Sequence, residues 1–187
     1  MESFISQYGY WAVLLGAMIE GESIILTASA LAALNKLSIF KVGIVTFLGT
    51  CFADQFIFIV GRLFGQRFLL FLLDRFKMLR PHAERALDFL KKHETLYIMS
   101  FRFIYGIRVI SPFIIGSQGI AFARFSILNI ISGFVWTVIS CGAGYYLGHF
   151  LGGYTKNVPV MVIGVLFLMF GLSFLVKKIY SFFKNKK

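Results

Sequence analysis

Charged residues are few in this sequence, and acidic residues are the scarcest of them. Charged side chains make up 14% of the 187 residues, with 8 acidic against 19 basic, whereas hydrophobic residues make up 58%. Soluble globular domains carry about 25% charged residues. The composition therefore predicts an all-α integral membrane protein that forms a single membrane domain.

Cysteine and histidine are also scarce. Cys51 and Cys141 lie in apolar stretches without CxxC spacing, and the three histidines are scattered, so we predict neither a metal site nor a cofactor. The N-terminal residues lack a basic region and a small-residue cleavage site, so we expect no removable signal peptide. An intramembrane protease could use Ser117 and His149, but nothing in their spacing brings them together, and no enzyme activity is predicted.

Positive charge is concentrated in two places. Segment 74–95 mixes both charge signs with apolar residues and predicts an amphipathic cytoplasmic helix. The uncharged run within 158–177 predicts a spanning helix, and the lysine-rich tail 178–187 is expected in the cytoplasm under the positive-inside rule. Nucleic-acid binding is not predicted, because no basic and aromatic surface lies outside the apolar runs. Trp11 and Trp136 are interpreted as ordinary membrane aromatics.

Two apolar segments are poorly suited to a simple spanning helix. Residues 10–34 contain Glu20 and Glu22, and residues 96–123 contain Arg102 and Arg108. A charge in a lipid-facing helix costs about 3 kcal/mol even on a lenient scale. Each segment has room for two half-membrane arms. We therefore predict two re-entrant helical hairpins whose charges face protein or a water-filled cavity.

An internal repeat is indicated when residues 16–65 are aligned without gaps with residues 103–152. Phe47 then matches Phe134, and the motif GRLFG matches GHFLG. Identities are few, but both stretches have the same order of charged hairpin, polar link, long helix and glycine pair. Paired broken segments of this kind predict an inverted-repeat transporter. The first repeat covers residues 10–73, the second covers 96–153, and their hairpins are expected to enter from opposite sides.

The arginines of the second hairpin are candidates for holding an anion. Gly106, Pro112 and Gly116 are predicted to act as hinges or structural breaks, so that Arg102 and Arg108 can face one cavity. The planar guanidinium group matches a phosphate, and we predict phosphate binding by both arginines. The alternative is that Arg102 reaches the membrane interface and Arg108 forms a structural ion pair.

Acidic residues in the apolar regions are candidates for proton coupling. Beyond the N-terminus these are Glu20, Glu22 and Asp54. A carboxyl group that alternates between apolar surroundings and an arginine can take up and release a proton. Protons are therefore expected partners. Simple balancing of the arginine charges is the alternative, and both roles can hold at once.

Three stretches, FRFIYGIRVISPFIIG, ADQFIFIVGRLFG and IEGESIILTASALAAL, resemble motifs of the DedA family, whose members share the SNARE-associated, or VTT, domain. The first matches the family pattern at Arg102, Phe103, Arg108, Pro112 and Gly116, although Phe101 and Tyr105 replace a usual glycine and proline. The second matches at Asp54, Gly61, Arg62 and Gly65. In the third, the acidic hairpin, the link between the two acids is shorter than usual, and Glu22 matches the second acid.

The resemblance, which runs from about Trp11 to Gly153, implies a multi-pass protein of the bacterial cytoplasmic membrane. It also implies two opposed re-entrant hairpins and the transport of lipids such as undecaprenyl phosphate or phosphatidylethanolamine, with dependence on the proton-motive force. The leading hypothesis is a flippase for a phosphate-bearing lipid. The alternatives are a proton-coupled antiporter of small ions or drugs and a non-transporting scaffold. Homo-oligomerisation is left open.

Overall fold

The computed structural model describes residues 2–19, 21–75, 80–104 and 108–152. Throughout these residues the regular structure is helical and no strand occurs, which confirms the all-α prediction for this part of the chain. The predicted spanning helix at 158–177 and the tail at 178–187 lie outside the described residues, as do Glu20 and Gly106.

Seven α-helices are described, together with a short 3₁₀ helix, Phe101–Phe103. The α-helices are α1 (Glu2–Ile19), α2 (Glu22–Ala33), α3 (Ile39–Arg75), α4 (Arg80–Lys92), α5 (Glu94–Ser100), α6 (Ser111–Ser117) and α7 (Phe122–Gly152). Among the described residues, two helices are long and apolar enough to cross a membrane, judged by length and composition: Ile39–Arg75 and Phe122–Phe150. The chain divides into two compact units: unit 1 is Met1–Thr46 with Ile139–Lys187, and unit 2 is Phe47–Val138.

In unit 1, α1 and α2 pack against each other as a helical hairpin. The turn between them contains Gly21, whose φ of 77° lies in the left-handed region that favours glycine. Gly16 approaches α2 so closely that a Cβ there would lie 2.6 Å from Cγ1 of Ile24. This hairpin covers most of the predicted segment 10–34 but begins earlier, since α1 starts at Glu2. Its re-entrant placement in a membrane stays a prediction.

In unit 2, α5 ends before both arginines and α6 begins after them. The hydroxyl groups of Tyr97 and Ser111 form a buried hydrogen bond of 2.7 Å that joins α5 to the start of α6. The structural break predicted at Pro112 lies immediately before it: residues 108–110 form a turn, and Pro112 is in the first turn of α6. A proline is tolerated there because the first N–H groups of a helix have no partner within it. The interruption therefore precedes α6.

Segment 74–95 is divided in the structure. Residues 74 and 75 end α3, and α4 begins at Arg80. Ala83, Ala86 and Leu90 are buried on one side of α4, where they contribute to the core of unit 2, while the charged residues of α4 are exposed. The cytoplasmic location of α4 stays a prediction.

Glycines allow close contacts between helices in both units. In unit 1, a Cβ at Gly148 would lie 2.5 Å from Cα of Ala30 on α2, the kind of close approach that small residues spaced four apart allow. In unit 2, a Cβ at Gly61 of α3 would collide with the Phe113 main chain, and one at Gly116 of α6 with the Phe58 carbonyl. Gly116 thus lies inside a helix, against a neighbouring main chain.

Replacing Gly148 by alanine is expected to lower the free energy of unfolding by about 1–3 kcal/mol, because the new methyl group displaces the α2 main chain. Gly142, on the same helix, has nothing within 4 Å of a Cβ and provides the matched control. Gly142→Ala should be neutral or slightly stabilising, since alanine favours a helix over glycine. Thermal unfolding of both variants in detergent measures the difference, and equal stability would contradict the close contact.

Candidate functional site

The predicted site residues Arg102, Arg108 and Asp54 all lie in unit 2, where α3 and α7 pack in antiparallel directions. Residue numbers rise along α3 as they fall along α7. The contacts that set this register are Phe47–Phe134 at 6.3 Å between ring centroids, Gln55–Ser126 at 3.2 Å between side-chain oxygens, and Phe58–Phe125 stacked at 4.2 Å. Between these aromatic pairs lie buried polar residues of both helices, Asp54 of α3 and Asn129 of α7, which we call the polar layer.

Arg102, in the 3₁₀ helix, lies in this polar layer and is 0% exposed. Its Nη2 atom lies 2.6 Å from Oδ2 of Asp54 and donates a 2.7 Å hydrogen bond to Oδ1 of Asn129. Within the described part of the chain, its Nε and Nη1 atoms have no hydrogen-bond partner. Arg102 thus does not reach an interface: it forms the buried ion pair that the alternative interpretation had assigned to Arg108.

Two features of α7 accommodate the Arg102 guanidinium. A Cβ at Gly133 would lie 3.1 Å from Nη2 of Arg102 and 2.7 Å from Sγ of Cys51, so the absence of a side chain provides the room. The amide nitrogen of Asn129 is 3.4 Å from the main-chain carbonyl of Cys51, to which it donates. Asn129 therefore bridges the arginine and the α3 main chain.

Arg108 is half-buried, and its guanidinium carbon lies 4.2 Å from the centroid of the Trp136 ring system. This is a cation–π arrangement, which is worth about 2 kcal/mol when the partners are shielded from water. Trp136 is 3% exposed. Our interpretation of Trp136 as an ordinary interfacial aromatic is therefore wrong, because its ring is buried in unit 2 against a cation.

The two arginines approach the same side of α7. Arg102 contacts it at Asn129 and Gly133, and Arg108 contacts it at Trp136. The spacings of four and three residues put these positions on one helix face. Asp54 lies within electrostatic range of both guanidinium groups. The structure therefore brings together Arg102, Arg108 and Asp54, three of the residues predicted from sequence.

The other predicted residues that the structure describes are on α2 and α6. Glu22 is the first residue of α2, in unit 1. Pro112 and Gly116 belong to α6 in unit 2 and take no part in the contacts between Arg102, Asp54 and Asn129. Neither a metal-binding cluster of histidine, cysteine and acidic side chains nor a disulfide is found among the described residues.

The contacts of Nη2 limit how Arg102 can hold an anion. A guanidinium group can bind an anion through two parallel N–H donors in two ways, with Nη2 and Nε or with Nη2 and Nη1. Both ways use Nη2. In this structure Nη2 is engaged by Asp54 and Asn129. A phosphate could meet Nε or Nη1 singly, but it could be held by two parallel hydrogen bonds only after Asp54 has moved away from Nη2.

Comparison with known proteins identifies the family. A family model for the VTT domain matches residues 19–146. The chain is 32% identical over 184 residues to the inner membrane protein YohD of Escherichia coli K12, covering 95% of this chain and 94% of YohD. It is 23% identical over 182 residues to protein DedA of the same organism, covering 89% and 82%.

A more distant relative is the uncharacterized membrane protein ML0287 of Mycobacterium leprae, 27% identical over 160 residues, with 83% of this chain and 69% of the relative covered. No solved structure gives a significant match. The names of the relatives support a bacterial inner membrane protein. With most of its length matched by the VTT domain model and nearly all of it aligned to YohD, the chain belongs to the DedA family of VTT-domain membrane proteins.

Proposed function

We propose that the protein is a transporter that moves a phosphate-bearing lipid across the bacterial inner membrane, with the headgroup held by Arg102 and Arg108. Undecaprenyl phosphate and phospholipids such as phosphatidylethanolamine are the substrate classes. The observation that carries the proposal is the buried Arg102 guanidinium, whose Nε and Nη1 donors have no partner within the described structure. Donors left unpaired in the interior are costly, and phosphate oxygens would satisfy them.

Asp54 is the group that would exchange with the phosphate. Its carboxylate holds Nη2 of Arg102 at 2.6 Å, the atom that a two-pronged phosphate contact requires. Protonation removes the charge of Asp54 and weakens this contact, so that the headgroup can take its place. Loss of the proton restores the ion pair and favours release of the lipid. Coupling to the proton-motive force follows from this exchange, with Glu20 and Glu22 as further proton-binding candidates.

An inverted repeat with two opposed re-entrant hairpins completes the proposed transporter. Phe47 and Phe134 are equivalent in the repeat alignment and contact each other, as expected of residues beside a two-fold axis. Gly61 and Gly148 are also equivalent, and each packs a long helix against the second helix of a hairpin, α6 in unit 2 and α2 in unit 1. These likenesses support an inverted repeat, in which α4 and the C-terminus face the cytoplasm.

A translocation assay in proteoliposomes tests the proposed function. We expect the wild type to move a short-chain phosphate-bearing lipid between leaflets without carrying small cations or drugs. Arg108→Ala should lower the initial rate at least about tenfold, because a point of phosphate contact is lost. Arg67→Ala, at an exposed arginine of α3, is the control and should transport normally.

Three outcomes would contradict the proposal. Flux of small solutes without lipid movement would favour the proton-coupled antiporter. Normal lipid movement by well-folded Arg108→Ala would show that Arg108 does not hold the headgroup, and absence of any transport by the wild type would favour the scaffold.

A further inference from the structure

One face of α7 contacts both arginines, and its residues follow at one per helical turn. Asn129, Gly133 and Trp136 form this face, which we call the arginine-facing side of α7. Asn129 is 1% exposed and Trp136 is 3% exposed, so both side chains are buried inside unit 2. Asn129 lies in a helix without an acidic residue, where a buried amide is costly unless it is hydrogen-bonded.

Asn129 is held at both ends of its amide. Its Oδ1 accepts the 2.7 Å hydrogen bond from Nη2 of Arg102, and its Nδ2 donates to the main-chain carbonyl of Cys51. Because that carbonyl belongs to α3, the amide cannot turn without breaking a hydrogen bond. Asn129 therefore fixes the direction of Nη2 independently of Asp54, and would keep it fixed when Asp54 moves away.

Trp136 constrains Arg108 in a different way. The guanidinium carbon lies over the indole, 4.2 Å from the ring centroid. A cation–π contact attracts the guanidinium charge to the ring face and uses none of its N–H donors in a hydrogen bond. The indole therefore holds the Arg108 guanidinium in place through its charge, while the N–H groups bond with polar groups.

We propose that Asn129 and Trp136 are the positioning residues of the phosphate-binding site, Asn129 acting on Arg102 and Trp136 on Arg108. This inference rests on the proposed function. Gly133, between them, keeps the space that the Arg102 guanidinium occupies. The two residues preorganise the guanidinium groups for a phosphate, so that less conformational freedom is lost on binding.

The two tryptophans of the chain offer an intrinsic test. Trp11 is 65% exposed and is no part of the site, so Trp11→Phe leaves Trp136 as the single emitter. We expect dioctanoyl phosphatidic acid, added to this variant in detergent, to change the Trp136 emission saturably. Dioctanoylglycerol, which lacks the phosphate, should not. Inorganic phosphate tests whether the site binds any phosphate or requires the lipid. If the site requires the lipid, inorganic phosphate should change the Trp136 emission only weakly.

Substitutions then separate positioning from folding. Asn129→Ala should raise the dissociation constant for dioctanoyl phosphatidic acid about tenfold, measured by the same emission change. Ser126→Ala, also on α7 and bonded to Gln55, is the matched control and should bind within about twofold of the parent. By calorimetry, Trp136→Leu should weaken binding more than Trp136→Phe, because phenylalanine keeps an aromatic ring for the cation.

The outcomes distinguish this inference from the proposed function. If the parent binds the lipid but Asn129→Ala and Trp136→Leu bind it equally well, the positioning roles are wrong and the proposed function stands. If neither the wild type nor Trp11→Phe binds it, the proposed function itself fails. Thermal unfolding checks each variant. If Asn129→Ala does not fold, the Trp136 emission of the parent remains decisive, since an unchanged emission at saturating lipid excludes a headgroup beside Arg108.

Discussion

Replacing Arg102 with leucine is expected to abolish lipid transport and to lower the free energy of unfolding by about 3–5 kcal/mol. The partner carboxylate of Asp54 is 7% exposed and lies 2.6 Å from the Arg102 guanidinium. Without the arginine, that carboxylate must stay buried as an unpaired charge or take up a proton. Both alternatives cost free energy. Denaturant or thermal unfolding in detergent measures the loss.

A double substitution separates the stability effect from the transport effect. Asp54→Leu alone leaves the fully buried Arg102 unpaired and should be destabilising to a similar degree. The double variant Arg102→Leu/Asp54→Leu removes both charges, and most of the lost stability should return. Transport should not return, because the phosphate has lost its buried donor. A stable double variant that still transports would contradict a role for Arg102 in holding the headgroup.

Replacing Arg108 with lysine is expected to reduce the rate of lipid transport at least about tenfold while leaving the protein folded. Lysine keeps the positive charge and can still lie over Trp136, so the cation–π contact is retained. What lysine cannot supply is the planar pair of donors that meets two phosphate oxygens at once. The measurement is the initial translocation rate in proteoliposomes.

Arg67→Lys is the matched control for Arg108→Lys, because it makes the same chemical change at an exposed residue of α3 outside the site. It should transport at the wild-type rate. Full activity of Arg108→Lys would mean that a single positive charge suffices at this position. The headgroup would then not be bound by two N–H groups of the guanidinium.

The sequence was sufficient to predict that charges in the apolar segments would be paired, but not which acid would pair with which arginine. Arginines and an aspartate in apolar segments must find one another or another polar group, because lipid offers neither a partner nor water. Arg102 and Asp54 satisfy that requirement directly in the structure. The helical character of the described chain followed from the same reasoning, since helices satisfy their own main-chain groups.

Asn129 and Trp136 could not be assigned from the sequence because their roles depend on the register between α3 and α7. That register is set by contacts such as Phe58–Phe125, between residues far apart in the chain. One signal was present: Asn129 is an amide within a long uncharged run, and a polar side chain there requires a partner. Nothing local, however, indicates that the partner is Arg102.

Pro112 shows the limit of a local rule. A proline is incompatible with a helix interior but favourable in a first turn, and the sequence alone does not say which of these positions it occupies. In the structure α6 begins at Ser111, where the buried hydrogen bond to Tyr97 joins its start to α5. The sequence indicated a break beside Pro112, and a contact between separate helices accompanies the exact start of α6, which the sequence did not specify.

Native mass spectrometry of the purified protein tests the central claim most directly, because it identifies bound lipid by mass. The account predicts that the wild type retains a phosphate-bearing lipid and that the folded Arg102→Leu/Asp54→Leu variant does not. Equal retention of the same lipid by both proteins, or retention by the wild type only of lipids without phosphate, would contradict it.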